Sequence, residues 1–148
     1  MSWTQLLARR EAQKHTTSKR ELDEMRELIA RDLSDASIPA LSADRRFATA
    51  YNAALQAANR AIACAGYRIS AKIGHHRITL ESVQLVLGKS ATPFTDYFDL
   101  CRRKRNQIDY SRSRVATETE AQESVAKARE FYQLVEAWIS KSRPRFAC

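Results

Sequence analysis

Glycine and proline are scarce in this chain, three of each in 148 residues, while Ala, Leu, Arg and Glu are abundant. These are strong helix formers, and no alternating run of β-branched residues competes with them, so a β-rich class is excluded and an all-α protein is expected. Cysteine is equally sparse. Cys64, Cys101 and Cys148 are odd in number and far apart, which argues against both a disulfide framework and a thiolate zinc site. Long apolar runs are missing too: none approaches the ~20 residues needed to span a bilayer, and no charged-then-apolar leader opens the chain. The expectation is a cytoplasmic protein without membrane contact, and the length suits one core rather than two.

What the chain has in excess is positive charge, formally +8. The excess is local. Residues 43–114 hold thirteen Lys or Arg against five Asp or Glu, whereas the flanks on either side balance. A basic segment of this kind favours polyanions such as RNA, DNA or anionic lipid over acidic small molecules.

Periodicity divides the chain into an N-terminal arm or short helix (1–17), a helical bundle (18–142) and a C-terminal tail (143–148). Thr17 or Ser18 can cap a helix carrying Leu22, Met25, Ile29 and Leu33, with Glu21 in a capping-box position. After a loop with Pro39, a long helix runs from about Ala43 to Gly66, its face rich in small residues. A short helix is expected over Thr79–Leu87, preceded by a loop that holds His75 and His76. The next helix is capped by Thr92, opened by Pro93 and runs to about Arg112. Thr117 and Glu120 form a capping box for the last helix, which Arg143-Pro144-Arg145 ends. Four principal helices with short connections, plus one short helix, read as a bundle of four to five helices.

The run Arg102-Arg103-Lys104-Arg105-Asn106-Gln107-Ile108-Asp109-Tyr110 breaks the apolar pattern of its helix. Phe94, Tyr97, Phe98, Cys101 and Ile108 share one stripe, and at roughly 100° per residue Arg105 falls in its middle with Asp109 at its edge. A guanidinium is almost never buried unless it is paired. Two accounts stand side by side: an Arg105–Asp109 ion pair that fills a groove, or a phosphate-binding site. Arg102 and Arg105 are neighbours in space, while Arg103 and Lys104 splay elsewhere. Arg105 with Asn106 offers a fork for phosphate and an amide beside it. Tyr51 and Asn52 on the long helix are candidates for hydrogen bonds in the same groove.

Arg46-Phe47 through Ala50-Tyr51-Asn52-Ala53, Ala65-Gly66-Tyr67-Arg68, Gly74-His75-His76 and Arg105-Asn106 through Asp109-Tyr110 resemble, in order and content, a subgroup of the HEPN superfamily of small helical bundles. The resemblance covers about residues 20–140. It implies a homodimer with two late helices facing each other across a groove, a place in bacterial toxin–antitoxin or defence systems, and metal-independent RNA cleavage. In the superfamily's ribonucleases an Arg is followed four to six residues later by a His. Here Tyr110 stands at the shortest such spacing and no His follows.

An imidazole exchanges protons near neutral pH, whereas Tyr, with a reference pKa near ~10, is chiefly a hydrogen-bond donor. Asp109 would need a raised pKa to act as base, and a neighbouring Arg105 lowers it. His75 and His76 are the remaining imidazoles near the basic segment; with no third ligand at fixed spacing they do not make a zinc site, and no cofactor is expected. The reading is an RNA-binding and possible RNA-cleaving protein with Arg105, Asp109, Tyr110, His75 and His76 as candidate catalytic groups and Arg102, Arg105, Asn106, Tyr51 and Asn52 as RNA contacts. The alternative is a non-catalytic bundle that binds a nucleotide or a partner, such as a nucleotidyltransferase-type antitoxin.

Overall fold

The computed structural model describes residues 1–110 and 113–147, with the backbone alone at Asp109 and Tyr110. It is an all-α bundle organised around one helix. The elements run α1 (Trp3–Ala8), β1 (Ala12–Lys14), α2 (Lys19–Ala36), α3 (Ala43–Cys64), β2 (Tyr67–Ile69), α4 (His75–Ser82), α5 (Gln84–Leu87), α6 (Thr92–Tyr110) and α7 (Glu118–Ser142). No described helix is long and apolar enough to cross a membrane.

Helix α3 is the axis. α2 and α7 pack along it, with α4 and α6 on a further side. Its small residues allow this: Ala50, Ala54, Ala57, Ala58 and Ala61 are fully buried and let neighbouring backbones approach closely. Ser42 caps it by accepting from Arg45 N, and Gly66, at φ 96°, follows its end in the left-handed region. The capping box expected for α7 is present, with Thr117 Oγ1 accepting from Glu120 N and Glu120 accepting from Thr117 N.

Being covered on several sides, α3 also buries two of its arginines. Arg60 is wholly buried; its Nε donates to Glu136 Oε1 on α7 at 2.7 Å, Nη2 donates to Glu136 Oε2 at 3.3 Å, and Nη1 donates to the Leu22 carbonyl. Arg46 is nearly as buried and donates to the Ala36 carbonyl at 3.1 Å and to Glu118 Oε2 at 2.6 Å. Each guanidinium therefore ties the ends of two other helices to α3.

Several sequence expectations change. Residues 1–17 hold a capped helix and a strand: Ser2 and Gln5 form a capping box for α1, and β1 pairs antiparallel with β2, Ala12 opposite Ile69 and Lys14 opposite Tyr67. Three-residue strands give too little alternation to be read as period two. Trp3 stacks on Tyr67 with ring centroids 4.1 Å apart, clamping this N-terminal unit to the bundle. Ser18 caps α2 as expected, but the Glu21 carboxylate completes no box; it accepts from His15 and Thr17 instead. Thr92 has helical backbone angles and donates to Gln84 Oε1 rather than capping α6, because a 3₁₀ turn over Gly88–Ala91 leads directly into that helix. The short helix begins at His75, four residues before the expected Thr79, and breaks at Val83 between α4 and α5. The tail forms a 3₁₀ turn over Pro144–Phe146, and Phe146 packs against the core.

Candidate functional site

The site is built where α3, α4 and α6 meet. Tyr51 on α3 is almost fully buried, with Phe98 of α6 against it at 6.4 Å between ring centroids and an interplanar angle of 60°. Phe98 is itself wholly buried and meets Tyr97 edge-on at 4.9 Å. The aromatic wedge fixes the rotation of α6 and so sets where the next turns of that helix project. Two turns past Phe98, Arg105 lies half-buried, its Cζ 5.8 Å from the centre of the Tyr51 ring, and its Nη2 donates to Asn52 Oδ1 at 3.3 Å. A cation over a tyrosine face is attractive, and the amide oxygen aims the guanidinium.

The third wall is α4. The chain enters it through Gly74 at φ 82°, a left-handed conformation that strains any residue with a Cβ. That turn places His75 and His76 in the first turn of the helix, not on a loop as expected. His75 is exposed, and its Nδ1–H donates to the Lys72 carbonyl at 2.8 Å. His76 is half-buried and points its ring toward the cluster, 6.0 Å from Tyr51 and 4.3 Å edge-on from His75.

Four of the sequence-predicted residues, Tyr51, Asn52, His76 and Arg105, thus come together from three helices that are distant in the chain. Arg102 donates to Asp99 one turn back at 3.3 Å, yet its charge still acts on Tyr51. Asn106 is half-buried, and among the described residues no hydrogen bond ties it to the cluster. Lys104 turns away, as the helical spacing predicts, to pair with Glu120 on α7 and lie 6.0 Å over the Phe47 ring. The side chains of Asp109 and Tyr110 lie outside the described residues, and with them the Arg105–Asp109 pair. Sequence reading missed the contact of His76 with Tyr51, which no spacing signals.

Burial pushes the Tyr51 hydroxyl up to about 12, despite the opposing pull of Arg105 and Arg102. At neutral pH the group is protonated and acts as a donor, not a base. Its Oη is buried without a hydrogen-bond partner among the described residues. An orphan of this kind costs roughly 1–3 kcal/mol. Tyr51→Phe should therefore leave unfolding stability equal or raise it by up to ~1 kcal/mol, measured by urea titration, while any ligand that accepts from this hydroxyl binds less well. Among the described residues no cluster of three His, Cys, Asp or Glu is arranged to hold a metal.

The model of the SAV_6107-like HEPN family matches residues 38–136, from the loop before α3 to the last third of α7. The match takes in all four clustered residues and leaves α1, β1 and α2 outside it. Neither a curated protein nor a solved structure matches the chain.

Proposed function

The chain belongs to the SAV_6107-like HEPN family, and from that membership we propose that the Arg105 cluster is an RNA site. The observation that carries this reading is the convergence of a guanidinium, an amide, an orphaned phenol and an imidazole from three helices. Arg105 supplies a charge-assisted donor for a backbone phosphate, and the buried Tyr51 ring holds that guanidinium in place. Arg102 adds positive potential. Residues 43–114 hold thirteen cations against five acids, and although Arg46 and Arg60 are buried in ion pairs, the excess that remains favours a polyanion.

The place of His76 supports a cleaving version of the same reading. Its imidazole takes the proton from a ribose 2′-hydroxyl, the 2′-oxygen attacks phosphorus, and the bond to the 5′-oxygen breaks as the imidazolium returns that proton to it, giving a cyclic phosphate and a 5′-hydroxyl end. Arg105 stabilises the charge that develops on the phosphoryl oxygens. Under this reading the protein works as a homodimer, and the exposed Leu100 on the outer face of α6 supplies apolar surface for it. A toxin role, with a nucleotidyltransferase-type antitoxin as partner, follows the same reading.

The test is retention and cleavage of labelled single-stranded RNA without divalent metal. Arg105→Ala should weaken binding roughly 10- to 100-fold and flatten its salt dependence. His76→Ala should abolish cleavage and spare binding, while His75→Ala changes neither. Binding without cleavage by the wild type would leave the non-catalytic bundle. Equal binding by Arg105→Ala, with helicity unchanged, would remove the site.

A further inference from the structure

Helix α3 is buried nearly all round except along one stripe. Asn52, Gln56 and Asn59 are its half-buried polar positions in that region. Spaced by four and three residues, they fall within about 60° of one another on the helix surface. Asn52 is at the Arg105 site. Gln56 and Asn59 line a separate cavity of about 310 Å³ between α2, α3 and β2.

Apolar and polar side chains share the lining of this cavity, Met25 and Ile62 among the first, Gln56, Asn59 and Glu21 among the second. The Gln56 and Asn59 amides make no side-chain hydrogen bond among the described residues, so each offers a free donor and a free acceptor. Opposite them stands the Glu21 carboxylate, whose Oε1 accepts from His15 Nε2 and Thr17 Oγ1 at 2.7 Å each. Those bonds hold the carboxylate ionised below its ordinary range and leave Oε2 to accept from a ligand. Arg68 on β2 also lines the cavity and offsets the charge of Glu21. A volume near the bottom of the ~300–1,000 Å³ range of small-molecule sites admits one ring system.

Apolar side chains beside two amides and a carboxylate, in a space of one ring system, match the chemistry of a nucleobase, which has apolar faces and a hydrogen-bonding edge. Asn52 and Asn59 are seven residues apart, about 10 Å along the helix, or some three stacked nucleotide steps. We infer that the Gln56–Asn59–Glu21 cavity is a base-reading subsite for an unpaired base of the RNA strand whose phosphate Arg105 holds. The inference rests on the RNA reading of that site. An ionised carboxylate only accepts hydrogen bonds, so the subsite favours adenine, cytosine or guanine, whose exocyclic amino groups donate to it, over uracil, whose one donor, N3–H, is flanked by two carbonyl oxygens that the carboxylate repels.

Fluorescence anisotropy with short single-stranded oligonucleotides tests this. The probes are uniform in length and carry adenine, cytosine, guanine, uracil or an abasic residue at each successive position of a fixed strand. Wild type should bind the best amino-bearing base at one position at least about fivefold more tightly than uracil or the abasic residue there. Gln56→Leu/Asn59→Leu, checked for helicity, should level that preference while the abasic strand binds as before. Arg105→Ala should weaken all strands alike. Discrimination unchanged in the double variant, or absent in a wild type that binds RNA, overturns the subsite and leaves the Arg105 site standing. No binding of any strand by the wild type overturns both.

Discussion

Glu136→Ala should destabilise the protein by ~3–5 kcal/mol, a large part of the stability of a domain this size. The reason is the charge it strands. Arg60 is wholly buried on α3, and Glu136 accepts from both its Nε and its Nη2. With the carboxylate gone, the guanidinium keeps only the Leu22 carbonyl, too little to replace what it gave up in water. Arg60→Met removes the charge together with its stem's polar end and keeps most of the volume, so it should cost much less than Glu136→Ala. Urea unfolding followed by circular dichroism compares the two. Equal losses in both variants would mean that packing, not the stranded charge, sets the cost. The site should be untouched by either change at temperatures where the protein is folded, since Glu136 lies more than two turns beyond the part of α7 that Lys104 reaches.

Phe98→Ala should cost a similar ~3–5 kcal/mol, but with a functional signature of its own. Phe98 is wholly buried and wedges between Tyr51 and Tyr97. Truncation opens a cavity beside the ring on which Arg105 rests, and both Tyr51 and the last turns of α6 lose the surface that positions them. Unfolding midpoint and RNA affinity should therefore fall together, whereas Glu136→Ala moves only the first. Phe98→Leu fills part of the cavity and should recover most of the stability and part of the binding. A Phe98→Ala protein with full RNA affinity at a temperature where it is folded would show that the wedge does not set the site.

Part of this organisation was legible along the chain because it depends on short spacings. Ser18 and Thr117 are recognisable as caps from the residues beside them, whereas the Ser42 cap is not. That Arg105 turns to the core side and Lys104 away from it follows from 100° per residue; that Lys104 meets Glu120 on α7 does not. Other elements were misread for an equally local reason. His75 and His76 sit behind a glycine that usually marks a loop, and only the left-handed Gly74 angle turns it into the start of α4.

The Arg60–Glu136 ion pair leaves no signal along the chain. A charge within the single apolar stripe of α6 is conspicuous, whereas Arg60 is not, because α3 is buried on several faces and has no one stripe for a charge to interrupt. Its partner is 76 residues away, so no spacing rule links them.

Composition and local periodicity by themselves determined the helical class, the caps at Ser18 and Thr117 and the place of the basic segment, since these arise within one or two turns of backbone. Tertiary structure alone decided that α3 is the buried axis, that Arg60 needs Glu136, and that His76 and Arg105 meet over Tyr51. Those contacts join residues far apart in the chain, and packing of whole helices, not any sequence interval, sets which side chains become neighbours.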